Sequence, residues 1–110
     1  MTSTNKQSIS AVIILPNQVI GGADALEFSA DIRKFTERNV QHIIIDMSSV
    51  ELINSSGLGM LVNGLSLMRK IGGSLLLAAV PEKVQGLLDM THLNTVLQSY
   101  PTIKQAEESI

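Results

Sequence analysis

The run His42-Ile43-Ile44-Ile45-Asp46 constrains this chain more than any other stretch. Three successive β-branched residues leave no polar position for water, as in a strand covered on both faces. Such a strand sits inside a mostly parallel sheet, and its flanking segments must supply the covering helices. They have the required pattern. Asp24 and Glu27 form a plausible capping box for a helix reaching about Arg38, with Ala25, Phe28, Ile32 and Phe35 on one face and Asn39 as its stop. A second helix is expected from near Ser55 or Ser56 to about Ile71, ended by Gly72-Gly73.

The remaining strands read at Ser8 to Leu15, Ser74 to Val80 and Val96 to Ser99. Pro16-Asn17-Gln18 reads as a turn into an antiparallel strand at Val19-Ile20, giving an N-terminal hairpin. Pro81 is expected in the first turn of a helix reaching about Met90, and Thr102 to Glu108 forms a last one. The order β-β-α-β-α-β-α-β-α implies an α/β fold. A mostly parallel mixed sheet with that hairpin is covered by about four helices. Residues 1–110 are expected to make one domain, with residues 1–7 a polar tail.

Composition narrows the function. One Tyr, two Phe and no Trp give no platforms for stacking bases, and 8 basic against 10 acidic residues give no positive excess to follow a phosphate backbone. No nucleic-acid partner is expected. With no cysteine, disulfides, thiolate metal sites and a thiol nucleophile are excluded. Met1 to Gln7 holds no apolar signal core, and no apolar run approaches the roughly 18 residues of a membrane span. A cytoplasmic protein that does not insert into the membrane is expected, with no cofactor and no metal.

Asn54-Ser55-Ser56-Gly57-Leu58-Gly59 lies between strand and helix, on the side where open α/β sheets place their sites. Ser55 is placed as helix N-cap, and the glycines let another surface approach. A helix N-terminus also accommodates an anion, such as phosphate on Ser55. The competing use is a plain serine cap with glycines for packing. Along the second helix Leu58, Leu61, Val62, Leu65 and Met68 form a core face, and Asn63, Ser66 and Lys70 a wet one. Met60, Gly64, Leu67 and Ile71 form a further apolar stripe. It fits either a partner-docking surface or packing against a neighbouring helix. Docking is the expectation, because the stripe starts one turn from Ser55.

Catalysis finds little support. His42 and His92 are far apart without ligand-like partners, and Gly57-Leu58-Gly59 lacks both a third glycine and a following Lys. No base can be named for Ser55 as a nucleophile, and the chain is not expected to be an enzyme.

Asp46-Met47-Ser48-Ser49-Val50-Glu51-Leu52-Ile53-Asn54-Ser55-Ser56-Gly57-Leu58-Gly59-Met60-Leu61 resembles the signature of bacterial anti-sigma factor antagonists, the STAS-domain family. Ile71-Gly72-Gly73-Ser74-Leu75, Pro81 through Leu88, Leu93 and Ile103-Lys104-Gln105-Ala106 extend the resemblance over nearly the whole chain. The resemblance implies partner switching. The unphosphorylated antagonist binds an anti-sigma factor that is also a serine kinase, which frees the sigma factor; phosphorylation then releases the antagonist. Ser55 aligns with the phosphoacceptor, with Ser56 the runner-up. Asn54, Ser55, Ser56, Gly57, Met60, Gly64, Leu67 and Asp24 are the expected partner-binding positions, and the free protein is expected to be monomeric.

Two positions depart from the family pattern. Asn54 stands where the family usually has Asp, and Ile20 where it has an acid, which leaves Asp24 as the nearest carboxylate. The alternatives keep the fold: a soluble STAS subunit of a membrane lipid- or anion-transport complex, or a scaffold in a stress-sensing assembly.

Overall fold

The structure is a computed structural model, and it describes residues 9–110. The expected polar tail and the Ser8 start of the first strand lie outside the described residues. In chain order the elements are β1 (Ser10–Ile14), β2 (Gln18–Val19), α1 (Ala23–Glu37), β3 (His42–Asp46), β4 (Leu52–Ile53) and α2 (Ser55–Lys70). They continue with β5 (Ser74–Ala78), α3 (Glu82–Met90), a 3-10 turn at Leu93–Thr95, β6 (Ser99–Tyr100) and α4 (Ile103–Glu108).

The main sheet runs β1-β3-β5-β6 with every pairing parallel. Its central strand is the Ile43-Ile44-Ile45 run, and all three isoleucines are fully buried. Ile43 and Ile45 point into a large core shared with Phe28 and Ile32 of α1, Leu61 and Met68 of α2, and Val84 and Leu88 of α3. Ile44 points the other way, into a small cluster with Leu76, Ala78 and Ala106 of α4. Burial on both faces follows directly from the absence of alternation in that run.

The N-terminal hairpin does not form. β1 pairs in parallel with β3, Ala11 opposite Ile43 and Ile13 opposite Ile45. β2 instead pairs in parallel with β4 in a separate two-stranded sheet, Val19 opposite Ile53. Pro16-Asn17 thus carries the chain onward past the carboxyl edge of the main sheet instead of reversing it. There the Asn17 carbonyl accepts the N–H groups of Glu51 and Leu52 at 2.7 and 3.0 Å. This placement buries Val19 and Ile53 side by side, at 1% and 5% exposure. Leu52 and Ile53 form β4.

Helix ends also differ in detail. α1 is capped by Gly22 without a side-chain bond, so the Asp24–Glu27 capping box is not made; Asp24 lies inside the first turn, favourably placed for the helix dipole. Asn39 does end α1, in the left-handed region at φ +65°. Pro81 is the N-cap of α3 and lies just outside its first turn. The last strand falls later than expected, at Ser99–Tyr100, because Val96 closes the 3-10 turn and Leu97 is taken into the core.

Candidate functional site

The start of α2 is built around Asn54. Its backbone is extended, and its side-chain Oδ1 accepts the Gly57 N–H at 2.9 Å while its carbonyl accepts the Leu58 N–H at 2.9 Å. Asn54, not Ser55, is therefore the N-cap. Asn and Ser cap about equally well, so position decides: the helix begins one residue earlier than a Ser55 cap allows. The Asn54 Nδ2 donates to the Ile20 carbonyl at 3.4 Å, and the Asn54 N–H donates to the Val19 carbonyl at 3.3 Å. One side chain thus ties the helix start to the end of β2.

With capping done by Asn54, Ser55 is the first helical residue and its hydroxyl is not committed to a cap. Ser55 and Ser56 are both exposed. Helix geometry points the first N–H groups outward, and α2's first turn holds no carboxylate, so an anion added to Ser55 meets the positive end of the helix.

The glycines are fixed by close approach. A Cβ at Gly57 would strike the Val19 carbonyl oxygen and lie 2.8 Å from Ile53 Cγ1. Gly21, at φ +85°, would place a Cβ 2.7 Å from Ser56 Cβ. The β2–α1 loop therefore lies directly on the first turn of α2, and Ser56 is the serine it leans against.

The stripe expected to dock a partner is interior. Met60 is 5% exposed, and a Cβ at Gly64 would come within 2.7 Å of Phe28 and 2.9 Å of Ile32, both on α1. Leu67 is half-buried against the same core. The second apolar face of α2 exists because α1 packs beside it on the same side of the sheet. Ile71 alone of that stripe is exposed.

The exposed apolar side chains near Ser55 come from other elements. Ile20 and Leu52 are 47% and 51% exposed, at the ends of the paired β2 and β4. Sequence periodicity along α2 could not find them, because they lie on two segments outside that helix. Asp24 lies half-buried near the same loop. His42 sits at the opposite, amino edge of the sheet, where its Nδ1 shares a 2.7 Å hydrogen bond with Ser74 Oγ; burial pushes its pKa below the ordinary 6.5. His92 lies beyond the end of α3, in the left-handed region. Among the described residues no cluster of three His, Asp or Glu is placed to hold a metal ion, and no helix is long and apolar enough to cross a membrane.

Comparison with known proteins agrees with this architecture. The STAS domain family model matches residues 3–106. A Thermotoga neapolitana protein assigned as a homologue of an anti-sigma factor antagonist is 31% identical over 100 residues, covering 90% of this chain and 88% of its own. The crystal structure of a Thermotoga maritima protein assigned as an anti-sigma factor antagonist superimposes with a TM-score of 0.77 at 32% identity, over 90% of this chain and 86% of that one. A sulfate transporter family protein from Wolinella succinogenes has a TM-score of 0.80 over 97% of this chain and 91% of its own, and at 18% identity it shares the fold alone. An exposed serine turn at the head of α2, on a four-stranded parallel sheet with four helices, is thus set in a chain that belongs to the STAS domain family.

Proposed function

We propose that this protein is an anti-sigma factor antagonist that binds an anti-sigma factor with serine kinase activity in the cytoplasm and is released when Ser55 is phosphorylated. The observation that carries the reading is the division of labour at α2. Asn54 caps the helix, which leaves Ser55 exposed and uncommitted at its positive end. Phosphate would add about −1.5 to −2 charges at pH 7 without disturbing the cap. Ile20 and Leu52, exposed on the segments tied to the serine turn, supply the apolar contact that Met60, Gly64 and Leu67 cannot. A phosphate set into that contact must lose its water, and every 1.4 kcal/mol or so of lost complementarity weakens the complex about tenfold.

The test is to incubate the protein with ATP and serine-kinase anti-sigma factors and to follow the mass of the Ser55 peptide. A single phosphate on Ser55 is expected, with Ser55→Ala binding like the unmodified protein and Ser55→Asp binding more weakly. Equal binding by the two variants would refute the switch. The replacement of the family Asp by Asn54 favours one second reading, a STAS subunit docked on a membrane transporter through the same surface without phosphorylation. Co-purification with such a transporter, and no phosphate on Ser55, would select it.

A further inference from the structure

Between α1 and the end of β1, and lined in part by Val19, lies a cavity of about 110 Å³. Its floor is apolar: Leu15, Val19, Phe28 and Met60, each no more than 5% exposed. Its rim on α1 carries Asp24, Glu27 and Asp31, and no residue that lines it is basic among those described. The three carboxylates are three and four residues apart, so successive turns place them along one face. The basic residues of α1, Arg33 and Lys34, fall in its C-terminal half, and Arg38 caps its C-terminal end.

We propose that this cavity receives one long basic side chain, arginine or lysine, from the protein partner that docks at the Ser55 turn. The proposal rests on the reading that this turn is a protein interface. Size supports the choice, since small-molecule pockets usually run to about 300–1,000 Å³ and this one holds little more than a single side chain. Chemistry supports it as well. Arginine and lysine carry an apolar stem with a cation at its tip, which matches an apolar floor beneath an acidic rim. Val19 joins the two regions, lining the cavity while its carbonyl accepts the Asn54 N–H at the head of α2.

The chemistry is testable on the free protein. n-Butylguanidinium and its neutral isostere n-butylurea are titrated into the full chain, following amide and methyl NMR shifts. Saturable shifts confined to Val19, Phe28, Met60 and the first half of α1 are expected for the guanidinium, in the millimolar range for so small a probe. The urea is expected to bind at least tenfold more weakly. Combining Glu27→Gln with Asp31→Asn, both outside the core, should weaken guanidinium binding at least tenfold, while Asp89→Asn on α3 should leave it unchanged. Equal binding of the two probes would show a merely apolar crevice and overturn the proposal. So would shifts scattered over every acidic residue, or an unaltered double variant. None of these readouts depends on Ser55 phosphorylation, so failure of the cavity and failure of the switch are separate results.

Discussion

Asn54 Oδ1 accepts the Gly57 N–H at 2.9 Å, and the Nδ2 of the same side chain donates to the Ile20 carbonyl at 3.4 Å. The cap of α2 is therefore also its tie to β2, and an aspartate could provide only the first of these bonds. Asn54→Ala is expected to cost about 0.5–2 kcal/mol in urea unfolding, and Asn54→Ser a small fraction of that. Unchanged stability in Asn54→Ala would show that the cap lies elsewhere.

Two glycines in the same helix should respond in opposite directions. Alanine at an exposed helical glycine usually stabilises by about 0.5–1 kcal/mol. Gly59→Ala is expected to do so, because its Cβ would meet nothing beyond its own helix within 4 Å. Gly57→Ala is expected to lose about 1–3 kcal/mol or more, since its Cβ would strike the Val19 carbonyl. Thermal melts of the pair, measured against wild type, check both signs.

Burial separates the interior stripe of α2 from the exposed apolar patch. Met60→Ala is expected to lower stability by about 2–5 kcal/mol through the cavity it leaves under α1. Leu52→Ser, at a half-exposed position, is expected to stay within about 0.5 kcal/mol of wild type yet weaken partner binding. Denaturant unfolding together with a binding titration reads both effects. A large stability loss in Leu52→Ser would remove that residue from the docking surface.

His42 gives the fold a pH dependence of defined sign. Burial lowers its pKa in the folded state below the 6.5 of the unfolded chain. Between the two values the unfolded chain binds more protons, so stability rises with pH in that window. The contribution is fully present above about pH 6.5 and declines as pH falls toward the folded pKa. His42→Gln is expected to flatten this part of the profile in unfolding experiments between about pH 5 and 8. An unchanged slope would assign the dependence to another group.

The local pattern determined most of the fold. The unbroken Ile43-Ile44-Ile45 run required a strand buried on both faces, and the helical spacing of Phe28, Ile32, Leu61 and Met68 required helices to cover it. The sequence around Ser55 likewise marked a serine turn at a helix start, because capping and glycine signals act over three or four residues. Pairing acts over longer distances. β1 has strand character whether it pairs with β2 or with β3, and only the joint burial of Val19 with Ile53 decided for the parallel arrangement. The second apolar face of α2 was equally ambiguous, since periodicity shows that a face is apolar but not what covers it. The tertiary structure put α1 against Met60 and Gly64, and it paired β2 with β4 so that Ile20 and Leu52 are both exposed beside the head of α2.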